Sequence, residues 1–262
     1  ASTIGISASA CPRAIASQRR ATTPPSRHNA AEQAAPAASR ANTVGFEAAV
    51  ISVRFSESLR RSSIVRSKQQ SHAARVFGMT ILEIDSKNFD ADIALAYATP
   101  DNFTGAPVYK NAHCFLHADA AAKLDHAIEL AARLGYRFLI FDALRPSEAQ
   151  WALWNHTPDP DFLSAPRKGS PHSRGVAVDL TLLDGEGRAL DMGTGFDAFT
   201  PHSHHGSGAI SVKAQKNRLL LLGIMSTAGW DFYSKEWWHY QLFDARSYPL
   251  VADDTLAKPM MA

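Results

Sequence analysis

Cysteine is nearly absent from this 262-residue chain, with only Cys11 and Cys114 present. No disulfide framework can be built from that pair, and thiolate-rich metal chemistry is excluded. Any metal must therefore be held by histidine and carboxylate. Long apolar runs are missing as well. The longest, 219–225, falls far short of the roughly 20 residues that cross a bilayer, and no apolar stretch near Ala1 marks a secretory signal. The expectation is a soluble, cytoplasmic protein with no membrane partner. Acid is scarce at one end only: residues 1–78 hold 11 Lys/Arg against Glu32, Glu47 and Glu57, whereas 79–262 hold 16 against 22. The first stretch is thus near +8 and the second near −6. An acidic body argues against a nucleic-acid backbone as partner.

Residues 1–78 also lack Trp and Tyr, and are rich in Ala, Ser, Arg, Gln and Pro. Such a composition cannot offset the entropy of ordering the chain, so a mostly disordered tail is expected. Its Arg- and Ser-rich, acid-poor character suits an organellar transit segment. The alternative is upstream sequence that the mature protein lacks, because the first methionine is Met79 and folded-domain composition begins there. One domain over 79–262 is the expectation, and 45% hydrophobic residues suffice for one sizeable core.

Helical and strand patterns alternate through that domain. Asp119 can cap a helix in which Leu124, Ile128, Ala131 and Leu134 recur at helical spacing, with Gly135 ending it. Arg137–Asp142 predicts a buried strand, and Arg145-Pro146-Ser147-Glu148 turns the chain into a helix through Trp154. A strand over 176–183, a helix over 213–228 stopped by Gly229 and a last strand over 237–243 complete the pattern. No internal repeat is present. The sum is an α+β domain with a small, largely antiparallel sheet flanked by helices.

The densest chemical signal is Gly169-Ser-Pro-His172-Ser-Arg-Gly175-Val-Ala-Val-Asp179. Strand alternation puts Val176, Val178 and Leu180 on one side and Asp179 on a polar face, with His172 on the turn that leads in. Sixty residues later comes Glu236-Trp-Trp-His239. In a regular strand Glu236 and His239 face opposite ways, so a bend is needed for both to reach one site. Two histidines and a carboxylate are a common ligand set for catalytic zinc, which lowers the pKa of water to about 7. Glu236 has the chemistry of the base that takes the proton, and Arg145, fixed by Pro146, that of an oxyanion donor. Taken singly, each has a plainer reading. His172 is then a turn residue, Asp179 a strand-end cap, Glu236 a strand-edge charge, and Arg145 the partner of a structural carboxylate such as Asp142. The cluster His202, His204 and His205 reads as a loop, because adjacent histidines seldom chelate one ion.

Together these motifs resemble the zinc D-alanyl-D-alanine dipeptidases of the vancomycin-resistance type. Tyr97-Ala-Thr-Pro-Asp-Asn-Phe-Thr-Gly105, Asp142-Ala-Leu-Arg145-Pro146, Asp191-Met-Gly-Thr-Gly-Phe-Asp197 and Ser203-His-His205 are similar to that family in its order, over roughly 82–250. The resemblance implies one zinc held by His172, Asp179 and His239, Glu236 as general base and Arg145 as transition-state arginine. It implies a substrate ammonium bound near Tyr97, Ser170 and Asp197, a small dipeptide as the substrate, and the fold shared with zinc DD-carboxypeptidases and the hedgehog domain. Ala143 and Leu144 depart from an aromatic common before the arginine, and Pro171 precedes the first ligand. Two alternatives stand beside dipeptide hydrolysis: a zinc carboxypeptidase or endopeptidase acting on longer wall peptides, and a metal-stabilised binding module that hydrolyses nothing.

Overall fold

Apolar residues recurring three and four apart on 118–133 form a helix because only that period brings Leu124, Ala127, Ile128 and Ala131 onto one buried face. This is seen in a computed structural model that describes residues 74–76 and 79–262. The expected tail, with Cys11, lies outside the described residues apart from Ala74–Val76. Those three residues are a strand, β1, antiparallel to β2 (Met79–Glu83), so strand pairing extends upstream of Met79.

The remaining strands are β3 (Ala91–Ile93), β4 (Phe115–His117), β5 (Arg137–Asp142), β6 (Ala177–Leu183), β7 (Asp231–Phe232) and β8 (His239–Gln241). The helices are α1 (Ala118–Arg133), α2 (Ser147–His156) and α3 (Val212–Thr227). A mixed α/β architecture results, with two sheets where one was expected: β1-β2-β4, and β3-β5-β6-β8-β7. In the larger sheet β3 runs parallel to β5, while β5/β6, β6/β8 and β7/β8 are antiparallel. Helix α1 packs against β5 and α3. Fully burying a side chain such as Leu124 or Ile140 stabilises the fold by about 1.5–3 kcal/mol. Among the described residues no helix is long and apolar enough to cross a membrane.

Several boundaries differ from the sequence expectation. Helix α1 is capped by His117, whose Nδ1 accepts from the Asp119 N–H at 3.1 Å, and Asp119 sits inside the first turn. Gly135 does leave the helix in the left-handed region, at φ 81°, but Leu134 is 56% exposed and is not part of the buried face. Strand β8 is shorter than expected because Trp237 and Trp238 lie in a turn ahead of it. The polar side of β6 that carries Asp179 is not open to solvent: every residue of that strand is buried. One side meets the core below α1. On the other, Phe196 stacks on Phe141 (ring centroids 4.9 Å apart) and sets its edge against Trp238 and Tyr97, covering the sheet with a loop.

Candidate metal centre and active site

Sheet register brings the first two donors together, since Asp179 of β6 stands directly opposite His239 of β8. His172 reaches them from a 3₁₀ turn, His172–Arg174, that ends at Gly175 with φ 68°. A side chain on Gly175 would meet the His117 nitrogen and Leu144 Cδ1 at 3.1 Å, so glycine is required on both counts. His172 Nε2 lies 3.0 Å from His239 Nδ1 and 3.2 Å from Asp179 Oδ1, and His239 Nδ1 lies 3.1 Å from that same oxygen. All three side chains are buried.

Such a cluster fits a metal ion. Ligands about 2.0–2.1 Å from a tetrahedral centre stand roughly 3.3 Å apart, close to the spacing here. The outer ring nitrogens agree. His172 Nδ1 is 2.7 Å from the Ala143 carbonyl, which can only accept, so the proton sits on Nδ1 and the Nε2 lone pair points inward. His239 Nε2 is 3.0 Å from Gln241 Oε1, which leaves Nδ1 as its donor. Outer partners of this kind fix tautomer and ring orientation in metal sites.

Glu236 sits at the required bend. Its N–H donates to the Tyr233 carbonyl at 3.2 Å and its own carbonyl accepts from His239 N–H at 3.4 Å, a turn that brings Glu236 Oε2 to 3.9 Å from His239 Nδ1. Burial first, then the Asp179 and Asp197 carboxylates, push the Glu236 pKa well up, with Arg145 opposing. Arg145 meets the plainer of its two sequence readings, as the partner of Asp142. Its Nε donates to Asp142 Oδ2 at 2.8 Å and its Nη1 to Gln150 Oε1 at 3.1 Å, while Nη2 lies 3.7 Å from Asp179 Oδ2. The guanidinium also covers the Tyr97 ring at 4.9 Å. A bulge after Ile140 is what sets Asp142 opposite Asp179, and Arg145 lies between carboxylates that would otherwise repel.

Tyr97 donates its hydroxyl to Asp197 Oδ2 at 2.9 Å, and Ser170 Oγ accepts from the His172 N–H at 3.2 Å. These three residues line one cavity of about 1130 Å³ together with Arg145, His172, Asp179, Glu236 and His239, so all eight candidates share a site. His202, His204 and His205 do not line it. His205 is packed between Phe232 and Tyr240, and burial with the nearby Arg218 pushes its pKa down to about 4. Sequence reasoning missed Gln241, Gln150 and Tyr109, whose hydroxyl donates to Asp142 Oδ1 at 2.7 Å. Gln241 was findable, because it is two residues from His239 on a strand and therefore on the same face. Gln150 and Tyr109 carry no local signal.

Asp197 adopts φ 56°, uncommon outside glycine. Burial and then the Asp179 carboxylate push its pKa up to about 8, against the pull of Arg145 and the Tyr97 hydroxyl. A carboxyl raised in this way contributes stability that is fully present below its unfolded value, about 4, and is lost as pH rises through its folded value. Metal-free protein is therefore expected to lose on the order of 2 kcal/mol from this partly exposed, screened group between pH 5 and 8. Thermal unfolding at the two pH values checks this. Asp197→Asn should flatten the dependence, and an unchanged slope in that variant would assign it elsewhere.

Comparison with known proteins identifies relatives of the chain. The family model described as D-ala-D-ala dipeptidase matches residues 79–258. The D-alanyl-D-alanine dipeptidase of Escherichia coli K12 is 47% identical over 164 residues, spanning 63% of this chain and 85% of that protein. The D-alanyl-D-alanine dipeptidase of Enterococcus faecium is 41% identical over 175 residues, covering 58% and 86%. That of Streptomyces coelicolor is 36% identical over 167 residues, covering 56% and 83%. A match of this extent, running through every stretch that lines the cavity, makes the chain a member of the D-Ala-D-Ala dipeptidase family of metallopeptidases.

Proposed function

We propose that this chain hydrolyses D-Ala-D-Ala to two D-alanines, with zinc held by His172, Asp179 and His239. The observation that carries the reading is the convergence of those three donors beside a buried glutamate and a buried arginine in a single cavity. Two imidazoles and one carboxylate, with room for a further ligand, suit zinc among the common divalent ions. When bound, zinc supplies Lewis acidity that lowers the pKa of water to about 7 and polarises a carbonyl.

The protein's own groups do the rest. Glu236 takes the proton of the attacking water, a role helped by surroundings that raise its basicity. Arg145, immobilised by Asp142 and Gln150, donates to the oxygen that gains charge as water adds; losing such a donor costs on the order of 3 kcal/mol of barrier. Asp197, oriented by Tyr97, receives the substrate ammonium with Ser170 nearby, which selects short peptides with a free amino terminus. We assign this chemistry to a domain over 79–262, a boundary supported by the start of the family match at residue 79.

Metal analysis combined with hydrolysis of free and N-acetylated D-Ala-D-Ala tests the proposal. About one zinc per chain and cleavage of the free dipeptide alone are expected, because an acetyl group removes the charge that Asp197 would bind. Equal cleavage of the blocked peptide would favour action on longer wall peptides. One observation leans that way: the cavity, about 1130 Å³, exceeds the roughly 300–1,000 Å³ usual for small-ligand pockets.

A further inference from the structure

Asp191-Met-Gly-Thr194 and Ser203-His-His205 do not line the cavity. They meet each other, and they meet the turn that carries Glu236. Trp237 N–H donates to the Ser203 carbonyl at 3.1 Å and His205 N–H to the Ser234 carbonyl at 2.9 Å, so two backbone bonds bracket Glu236 from the same neighbouring segment. Trp237 Nε1 donates to Thr194 Oγ1 at 2.8 Å, and that hydroxyl lies 3.2 Å from Ser203 Oγ.

Arg218 of α3 joins these parts from behind. It is buried, and among the described residues it forms no ion pair. Its Nε donates to the Met192 carbonyl at 2.6 Å, its Nη1 to the His202 and His204 carbonyls at 2.8 and 3.0 Å, and its Nη2 to Thr194 Oγ1 at 3.5 Å. The guanidinium also faces the Trp237 ring at 5.8 Å. A buried cation spent on carbonyls of two loops is costly unless those loops must be held in one arrangement. Neither Thr194 nor Arg218 lines the cavity.

We propose that Thr194 and Arg218 are positioning residues that fix the direction of the Glu236 carboxylate through Trp237 and the 203–205 segment. The proposal rests on the reading of Glu236 as the base. Its chemical basis is that proton transfer tolerates little misplacement: an error near 1 Å, introduced away from the reacting atoms, costs up to about 100-fold in rate. Thr194→Val keeps the shape and removes the acceptor for Trp237 Nε1. Thr194→Ser keeps the acceptor.

The test is kcat, KM and zinc content with D-Ala-D-Ala for the whole chain carrying Thr194→Val, Thr194→Ser, Glu236→Gln, or Thr194→Val with Glu236→Gln. Thr194→Val is expected to lower kcat roughly 10- to 100-fold with KM within about twofold and zinc unchanged, a pattern of lost transition-state rather than uniform binding. Thr194→Ser should restore the wild-type rate, and in the Glu236→Gln background Thr194→Val should add nothing, because its effect passes through the missing base. A wild-type kcat in Thr194→Val, or an equal loss in the Glu236→Gln background, overturns the brace. Arg218→Lys, which keeps the charge but gives up the fork, carries the same expectation if Thr194→Val does not fold. Should Glu236→Gln itself keep the wild-type rate, the base assignment fails and the brace falls with it; a normal Glu236→Gln loss beside an active Thr194→Val removes the brace alone.

Discussion

Replacing Glu236 by alanine is expected to lower D-Ala-D-Ala turnover by roughly a thousandfold, within the range general-base catalysis contributes, while zinc stays at about one per chain. The two outcomes separate because Glu236 is not among the three converging donors; its Oε2 stands 3.9 Å from His239 Nδ1, beyond hydrogen-bond reach. Among the described residues its carboxylate accepts no hydrogen bond, so truncation leaves no donor stranded. Stability of the metal-free protein should hold or rise, since a carboxyl whose ionisation is opposed by burial and by Asp179 and Asp197 is removed. Glu236→Gln keeps the shape and loses the basicity, and should be as slow as Glu236→Ala. If either variant turned over the dipeptide at the wild-type rate, or if zinc left together with activity, Glu236 would not be the base.

How much of this site could be read in advance depends on whether the deciding contact is local. The His172-to-Asp179 spacing puts a turn residue and a strand residue side by side, and the bend before His239 followed from alternation alone, because Glu236 and His239 cannot otherwise face one point. The 3.2 and 3.4 Å turn bonds at Glu236 are that bend. Contacts set by register were not legible. Nothing near Asp142 announces the bulge that places it across from Asp179, and nothing in α2 shows that Gln150 will reach Arg145. Strand β4 is only Phe115–His117, too short to show any period, so the smaller sheet went unforeseen. Alternation along β6 put Asp179 on a polar face but could not show that the face is buried. The covering Phe196 loop comes from a different part of the chain, and strands buried on both sides lose that pattern's meaning.

The other large effect is expected at the ligands themselves. His172→Ala and His239→Ala should each reduce zinc affinity by more than the roughly 10- to 100-fold that loss of an outer partner costs, and turnover should fall to background because no activated water forms. Gln241→Leu, which removes only the acceptor on His239 Nε2, supplies the comparison within that 10- to 100-fold range. The two histidine variants should nevertheless differ in stability. His172→Ala strands the buried Ala143 carbonyl that its Nδ1 now satisfies at 2.7 Å, a loss of about 1–3 kcal/mol. His239→Ala releases Gln241, which is half-buried and can turn to water, so the fold should lose less. Zinc titration and thermal unfolding of both variants measure the two quantities separately. Retention of tight zinc binding by His172→Ala would mean that Nε2, despite lying 3.0–3.2 Å from both other donors, is not a ligand, and the ion would then have to be held by a different set of atoms in the same cavity.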